Sequence, residues 1–332
     1  MLARLLAERR VLLADGATGT NLFERGLVSG DSPELWNDIH ADRIAGLHRE
    51  FVEAGADIIL TNSFGANRRR LMLHQLEGRT RELNRLAAKL ARGVADAAGR
   101  PVVVAGSVGP TGDLLAPLGP ISEDEAVEVF AEQVEGLMEG GADVAWIETM
   151  SAVEEIRAAT RAAARLGMPF VVTASFDTAG RTMMGVQPGK LVEFATALSP
   201  APLAVGANCG VGASDLVASV LAMQAARPET VIVAKANCGI PRVTASGTIY
   251  SGTPELMAEY ARLAVDAGAR IVGGCCGTSP GHLAAMRRAL DAHVPRPRPD
   301  LDRLVSLLGP FVSPPAAPGR EGAARRSTRR RG

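Results

Sequence analysis

The chain has 332 residues, 47% of them hydrophobic, which is enough for one large core or two smaller ones. It contains no run of about 18 apolar residues, so no membrane-spanning segment is predicted. The N-terminus lacks a secretory cleavage pattern and predicts a short amphipathic helix. Four cysteines, two of them adjacent, do not form a disulfide framework in a chain of this length, so a reducing cytoplasm is expected.

The net charge is zero, but it is unevenly distributed along the chain. Residues 319–332 hold six arginines and one glutamate, a charge of +5, which leaves −5 for the remainder. This tail follows a proline-rich stretch and has almost no apolar residues. An extension at 298–332, disordered from about residue 313, is therefore expected. Because arginine outnumbers lysine throughout the chain, the tail is interpreted as solvated, and no nucleic-acid or membrane partner is predicted.

Short β-branched runs alternate with longer helical patterns along the chain. The runs predict strands at 11–15, 57–61, 102–107, 144–148, 170–175, 204–208, 231–236 and 271–274. The helical patterns lie at 41–54, 70–98, 122–140, 151–166, 188–198, 212–226, 253–268 and 279–293, and a loop from 16 to 40 delays the first of them. Eight strand–helix pairs predict a single (β/α)8 TIM barrel over residues 1–297. A doubly wound open sheet is the alternative, but no Gly-x-Gly-x-x-Gly follows the first strand.

Unusual polar and sulfur-containing residues fall at the ends of the predicted strands. In a barrel these ends share one rim, where the catalytic groups lie. The rim residues are Asp15, Asn62, Glu148, Cys209, Asn237, Cys238, Cys275 and Cys276. Strands six and eight are separated only by strand seven, so we expect Cys209 to approach Cys275 and Cys276.

Three thiolates supply three corners of a tetrahedral zinc site and leave the fourth open, as in catalytic zinc sites. Such an anionic ligand set is a weak Lewis acid toward water, but it suits an incoming thiol. A free thiol is only a few per cent ionised at neutral pH, whereas coordination removes its proton. The rim therefore predicts alkylation of a thiol. Cys238 is expected to be a buried free thiol; a closed structural zinc site with Cys238 as fourth ligand is the alternative.

The other rim residues are candidates for holding a substrate. The carboxylates of Asp15 and Glu148 suit an α-ammonium group, although a turn or cap at Asp15 and a structural salt bridge at Glu148 are alternatives. Asn62 and Asn208 are ambiguous, because asparagine is common in turns. Backbone amides after the first strand can form an anion-binding nest for an α-carboxylate; they belong to Gly16, Ala17, Thr18, Gly19 and Thr20.

A different class of enzyme is suggested by Lys235, the only lysine at a predicted strand end. A lysine at that position could form a Schiff base in an aldolase. This alternative leaves the three cysteines unexplained. The five histidines map away from the strand ends, so neither a histidine–zinc site nor a Cys–His nucleophile is supported.

Five motifs occur in order between about residue 8 and residue 292. They are Asp15-Gly-Ala-Thr-Gly-Thr-Asn, Thr61-Asn-Ser-Phe-Gly, Gly106-Ser-Val-Gly-Pro-Thr-Gly, Gly206-Ala-Asn-Cys-Gly and Gly273-Gly-Cys-Cys-Gly-Thr. Together they resemble the homocysteine S-methyltransferases, and the whole chain looks most like the stand-alone bacterial betaine–homocysteine enzymes. The resemblance implies zinc on Cys209, Cys275 and Cys276, with the homocysteine sulfur as fourth ligand. It also implies that Asp15, Glu148 and the 16–20 amides hold the amino-acid end.

The resemblance further implies L-methionine as product and glycine betaine as methyl donor, which would become dimethylglycine. Aromatic faces hold quaternary ammonium groups, and Trp36 matches a family tryptophan near the donor. The animal betaine enzymes have tyrosines where this chain has Gly65 and Thr149. A methylcobalamin protein, a methyltetrahydrofolate system or S-methylmethionine are therefore alternative donors. A corrinoid protein would have to be an external partner, because no cobalamin-binding domain follows residue 292. Association into a homo-oligomer is left open.

Overall fold

The computed structural model describes residues 1–244 and 247–312, and its central feature is a closed barrel of eight parallel strands. In chain order the strands are β1 (Leu12–Leu13), β2 (Ile58–Leu60), β3 (Val103–Val108), β4 (Val144–Met150), β5 (Phe170–Ala174), β6 (Ala204–Cys209), β7 (Ile232–Ala236), β8 (Pro241–Thr244), β9 (Gly247–Tyr250) and β10 (Ala269–Gly274). The sheet runs β1-β10-β7-β6-β5-β4-β3-β2, and Ala14 pairs with Ile58 to close it. Strands β8 and β9 form a separate antiparallel hairpin after β7. The predicted (β/α)8 barrel is confirmed.

Helices connect and surround the strands. They are α1 (Leu2–Glu8), α2 (Gly19–Glu24), α3 (Trp36–Ile39), α4 (Ala41–Glu53), α5 (Arg68–Leu71), α6 (Thr80–Asp96), α7 (Glu123–Glu139), α8 (Val153–Arg165), α9 (Pro188–Thr196), α10 (Ala213–Ala226), α11 (Pro254–Asp266), α12 (Pro280–Asp291) and α13 (Leu301–Leu308). At the start of α7, Ser122 and Glu125 form a reciprocal capping box, which satisfies two backbone N–H groups. None of the described helices is both long enough and apolar enough to cross a bilayer.

The barrel has two apolar layers. The strands are continuous apolar runs because parallel strands are covered on both faces. One layer fills the inside of the barrel, where Trp146 is fully buried, and the other lies between the strands and the helices. Leu2 and Leu5 of α1 join the inner layer, and burying a leucine side chain contributes roughly 1.5–3 kcal/mol. The N-terminal helix therefore closes the end of the barrel opposite the rim.

Two predicted elements differ from the structure. The helix predicted at 70–98 is divided into α5 and α6, because Gln75 takes a left-handed conformation (φ 57°) that ends the first helical segment. Strand β4 runs past Glu148 to Met150, with a register shift between Ile147 and Met150. Thr149 in this shift has φ 60°. Irregularities of this kind change the direction of side chains at barrel rims. Here the irregular residue is Thr149, which directly follows Glu148 in the chain.

The residues after the barrel form one more helix. Leu304 of α13 is fully buried, and the Ser214 hydroxyl donates a hydrogen bond of 2.6 Å to the Gly309 carbonyl. Residues 301–312 thus pack on the outside of the barrel. The tail from residue 313, expected to be disordered, lies outside the described residues, and a domain boundary near residue 297 stays a prediction.

Candidate metal centre and active site

Three cysteine side chains meet at the C-terminal rim. Ala236 at the end of β7 pairs with Cys209 of β6 on one side and with Gly274 of β10 on the other. Cys275 and Cys276 follow Gly274 directly, so strand order alone brings the two cysteine loops together. The three Sγ atoms all lie within 4.8 Å of one another. The spatial arrangement expected from the strand order is therefore present.

The donor set fits a zinc ion. Zinc–sulfur bonds of about 2.3 Å in a tetrahedron separate neighbouring sulfur atoms by about 3.8 Å, so shifts of about 1 Å or less would complete three corners. Cys209 has φ 62°, a conformation that is uncommon for residues other than glycine and is concentrated at functional sites. The backbone of Cys209 is therefore strained at the position where its thiol meets the other two.

The thiols interact strongly with one another. At Cys209, a hydrogen bond with Cys275 lowers the pKa, but the hydrogen bond with Cys276 and burial outweigh it and raise the pKa to about 12. At Cys276, a hydrogen bond with Cys209 lowers the pKa, and Cys275 and burial raise it to about 12. Without a cation, these groups stay protonated at neutral pH. A metal ion would displace their protons.

Two residues to which the sequence assigned no role, Asn237 and Tyr250, support the cysteine loops. The Asn237 Oδ1 atom accepts a hydrogen bond of 3.1 Å from the Cys276 amide, and its Nδ2 atom donates one of 2.7 Å to the Gly210 carbonyl. Tyr250, at the end of the β8–β9 hairpin, donates a hydrogen bond that lowers the pKa of the Cys276 thiol. The Asn237-Cys238 pair at a strand end was a signal for the first residue. Nothing in the sequence pattern located the tyrosine.

The fourth cysteine lies apart from this cluster. Cys238 is 1% exposed, and its thiol donates a hydrogen bond of 3.3 Å to the Gly252 carbonyl. Within the described residues, the group of side chains close enough to hold a metal ion consists of the other three cysteines and does not include Cys238. This arrangement fits a buried free thiol and does not support a closed four-cysteine site.

A cavity of about 420 Å³ opens beside the cysteine cluster. Its wall includes all three cysteines, Glu148, Lys235, Asn62 and the 16–20 loop. A larger groove of about 900 Å³ lies on the outside of the barrel between α4 and α6, away from the cysteines. The smaller cavity is therefore the candidate substrate site, as expected for the C-terminal face of a barrel.

Asp15 lies beneath the cavity in an ion pair with Lys235. The Lys235 Nζ atom is 2.7 Å from Asp15 Oδ1, and Asp15 Oδ2 accepts a hydrogen bond of 2.7 Å from the Leu60 amide. Burial raises the pKa of Asp15, and the Lys235 ammonium acts against that shift. A Schiff-base lysine is activated by desolvation in an apolar pocket or by a neighbouring cation. Lys235 instead has a carboxylate partner, so the structure does not support the aldolase alternative.

Glu148 borders the cavity directly. Its Oε1 atom accepts a short hydrogen bond from the Ser107 hydroxyl. Burial raises its pKa; Lys235 and the Ser107 hydrogen bond oppose this shift, and the charge of Asp15 adds to it. A bound cationic group would favour the ionised carboxylate. Glu148 is thus suited to an ammonium ligand.

The loop from Gly16 to Thr20 lines the same cavity. The Ala17 amide donates to the Thr278 carbonyl at 3.1 Å, so it does not face a ligand. Thr18 is the N-cap of α2, and Gly19 and Thr20 lie in its first turn, where helical amides have no intrahelical acceptor. The Ala17 amide is therefore unavailable, and the amides of Gly16 and of residues 18–20 stay the predicted anion nest.

The two asparagines have structural partners. Asn62 borders the cavity, and its Nδ2 atom donates to the Pro33 carbonyl at 2.7 Å. Asn208 Oδ1 accepts hydrogen bonds from the Thr149 amide at 2.9 Å and the Thr173 hydroxyl at 2.7 Å. Its Nδ2 atom donates to the Thr149 hydroxyl at 2.7 Å. Asn208 therefore connects three strand ends, and it is 1% exposed.

Trp36, which the resemblance places near the methyl donor, is buried and follows the cavity residues Pro33 and Glu34 in the chain, and its role stays a prediction. Among the described residues that line the cavity, Trp36 is not present; it is 4% exposed. Arg43 lies over its ring at 5.1 Å, and His40 packs edge-on at 4.6 Å. The turn at Pro33–Leu35 directs the indole between these neighbours. Phe23 and Phe64 line the cavity instead.

The two positions that hold tyrosines in the animal betaine enzymes also have a structural explanation. A Cβ atom at Gly65 would lie 2.7 Å from Glu34 Oε1, and the Gly65 amide donates to that oxygen at 2.8 Å. A side chain at residue 65 would therefore require Glu34 to move and would break its hydrogen bond with the residue 65 amide. Thr149 borders the cavity, but its hydroxyl is bound by Asn208.

Comparisons with known proteins agree with the geometry. The homocysteine S-methyltransferase family profile matches residues 12–290. The methionine synthase of Mycobacterium tuberculosis is 31% identical over 328 residues, 93% of this chain and 27% of the relative. That of Mycobacterium leprae is 32% identical over 311 residues, 87% of this chain and 25% of the relative. The chain thus spans about a quarter of the length of these curated relatives.

The metallated form of the homocysteine methyltransferase MmuM from Escherichia coli superposes with a TM-score of 0.70 at 27% identity, covering 86% of this chain and 99% of that one. Its oxidised form gives the same TM-score and identity. The family profile, at residues 12–290, extends over the barrel strands and both cysteine loops. The chain belongs to the homocysteine S-methyltransferase family, a family of methyltransferase enzymes.

Proposed function

We propose that this chain transfers a methyl group to the thiol of L-homocysteine, giving L-methionine, with zinc held by Cys209, Cys275 and Cys276. The observation that carries the proposal is the meeting of three thiols in the wall of a cavity that also contains a buried carboxylate. Zinc, when bound, would take the substrate sulfur as its fourth ligand and keep it deprotonated at neutral pH. Asn237 and Tyr250 would hold the ligands in position, as the partners of metal ligands commonly do.

The amino-acid end of homocysteine is proposed to lie against Glu148 and the 18–20 amides. Glu148 would accept the α-ammonium, and the first-turn amides of α2 would donate to the α-carboxylate. Asp15 would act indirectly, because its ion pair holds the Lys235 side chain in position. Asn62 and Asn208 would hold the surrounding loops through their hydrogen bonds. The apolar side chains of the cavity wall (Phe23, Leu60 and Phe64) would reduce the amount of water around the reacting sulfur once substrate is bound.

Glycine betaine is proposed as the methyl donor. The S–CH₃ bond forms while an N–CH₃ bond breaks, and the bonding electron pair stays on nitrogen to give dimethylglycine. This reaction cancels the charges of thiolate and ammonium, so a dry site favours it. The rings of Phe23 and Phe64 offer the aromatic faces that attract a quaternary ammonium group.

A methyl group delivered by a separate corrinoid protein is the second candidate. The curated relatives are named methionine synthases, and exposed apolar side chains occur in the loops that follow β3 and β5. Leu118 is 69% exposed and Met183 is 73% exposed, and these two side chains would be candidate contacts for such a partner. Methyltetrahydrofolate systems and S-methylmethionine belong in the same donor comparison.

The four free thiols fit a reducing compartment, and we propose that the enzyme works in the cytoplasm.

Alanine substitution of Cys209 or Cys275 tests the proposal, with Cys238→Ala as the matched control. The first two variants should lose bound zinc together with methionine formation from homocysteine, and the control should keep both. Metal content by mass spectrometry and a side-by-side donor panel provide the measurements. Full activity in a zinc-free Cys209→Ala protein would reject the proposed chemistry.

A further inference from the structure

The floor of the cavity presents an ammonium group where sequence patterns suggested a carboxylate. Lys235 borders the cavity, although it is 2% exposed. Its Nζ atom donates to Asp15 Oδ1 at 2.7 Å and to the Asp15 carbonyl at 3.2 Å. Asp15 itself is 1% exposed and is absent from the described residues that line the cavity. The lysine is therefore the group of this pair that a ligand would meet.

The hydrogen-bonding capacity of the pair is used unevenly. Both carboxylate oxygens of Asp15 have partners, Lys235 on Oδ1 and the Leu60 amide on Oδ2. An ammonium group has three donors, and in residues 1–244 and 247–312 the acceptors of Lys235 are the two on Asp15. A buried charged donor without an acceptor is unfavourable. A ligand that accepts a hydrogen bond would satisfy it.

Glu148 supplies the opposite charge at the same floor. Lys235 is near enough to lower the pKa of the Glu148 carboxyl, and both side chains border the cavity. An anionic and a cationic side chain in the wall of one cavity match the α-ammonium and α-carboxylate of an amino acid. Asp15 balances the positive charge of Lys235 and holds its ammonium group in position.

We propose that Lys235 binds the α-carboxylate of homocysteine, while Glu148 accepts its α-ammonium. One carboxylate oxygen would face Lys235 and the other the amides of residues 18–20. The proposal rests on the proposed function and adds a residue that distinguishes an amino-acid thiol from a simple amine thiol. It also gives this buried lysine a role other than Schiff-base chemistry.

The test compares L-homocysteine with 3-aminopropanethiol, which has the same thiol and amine but no carboxylate. Removing Lys235 alone would leave the buried Asp15 carboxylate without its counter-ion and could prevent folding. We therefore compare Asp15→Asn with the double variant Asp15→Asn/Lys235→Met. Lys190→Met, at an exposed lysine, is the matched control. Melting temperature and zinc content establish that each protein is folded and loaded.

Relative to Asp15→Asn, the double variant should lose about 10- to 100-fold in kcat/KM for homocysteine, as expected for a lost charged hydrogen bond. Its kcat/KM for 3-aminopropanethiol should change less than about threefold, and Lys190→Met should match wild type on both thiols. Equal losses on both thiols, or a rise confined to the KM for the methyl donor, would overturn the proposal. Calorimetric affinities for the two thiols provide the same comparison without turnover. If wild type methylates neither thiol, the proposed function fails, and the binding ratio still decides the role of Lys235.

Discussion

Replacement of Asn237 by alanine is the sharpest test of how the cysteine loops are held together. This side chain is 2% exposed and spans the two loops through its amide, with Cys276 on one side and Gly210 on the other. Both hydrogen bonds are made with backbone groups and neither involves a thiol. The variant therefore perturbs the position of the ligands while leaving all three thiols in place.

The expected loss of stability in Asn237→Ala follows from the two hydrogen bonds that the substitution removes. Each buried partner left without a bond costs about 1–3 kcal/mol, so Asn237→Ala should lower the free energy of unfolding by about 2–6 kcal/mol. Loss of a partner that orients metal ligands typically costs 10- to 100-fold in metal affinity. The same range is expected for zinc here.

Zinc affinity measured by competition with a chromophoric chelator, together with urea unfolding, separates these two effects. Asn84→Ala is the matched control, because Asn84 is a buried asparagine that donates to the Ala66 and Thr80 carbonyls at 2.8 and 2.7 Å, far from the cysteines along the chain. It should lose similar stability but retain zinc affinity. If Asn237→Ala bound zinc as tightly as Asn84→Ala, the proposed support of the metal centre would be refuted.

Other predictions concern pH and packing. Burial lowers the pKa of His48 to about 4; between pH 6.5 and 4 the unfolded chain binds a proton that the folded protein does not, so stability should fall by about 3 kcal/mol as pH drops through this range. Urea unfolding at several pH values should show this loss in wild type, and an unchanged pH dependence in His48→Leu would contradict it. Gly277→Ala places a methyl group 2.4 Å from the Tyr250 Cβ atom at φ 79°, so it should displace the tyrosine and weaken zinc binding; unchanged affinity would exclude this role. Gly65→Ala should destabilise the protein by about 1–3 kcal/mol through its clash with Glu34, and a melting temperature equal to wild type would contradict that.

The sequence was sufficient to predict the barrel and the gathering of the cysteines. Strand ends of a parallel barrel share one rim, so the position of Cys209 after the sixth strand and of Cys275 after the eighth implies their approach. The pairing of Ala236 with both neighbouring strands shows this directly. The approach of the cysteines can be inferred from the order of the strands alone, and the pattern of apolar residues along the sequence is enough to predict that order.

Features that depend on side-chain direction could not be predicted in the same way. The pattern placed Asp15 on the rim, but only the fold shows that Lys235 lies between this carboxylate and the cavity. The same limit applies to Trp36, whose buried ring packs against Arg43. The contribution of Tyr250 required a hairpin that no predicted element contained.

X-ray absorption at the zinc edge, recorded before and after adding L-homocysteine, tests the central claim most directly. We predict three protein sulfur ligands at about 2.3 Å in the zinc-loaded protein and a fourth sulfur when homocysteine is present. A zinc shell that still contains three sulfurs with saturating homocysteine would contradict the account.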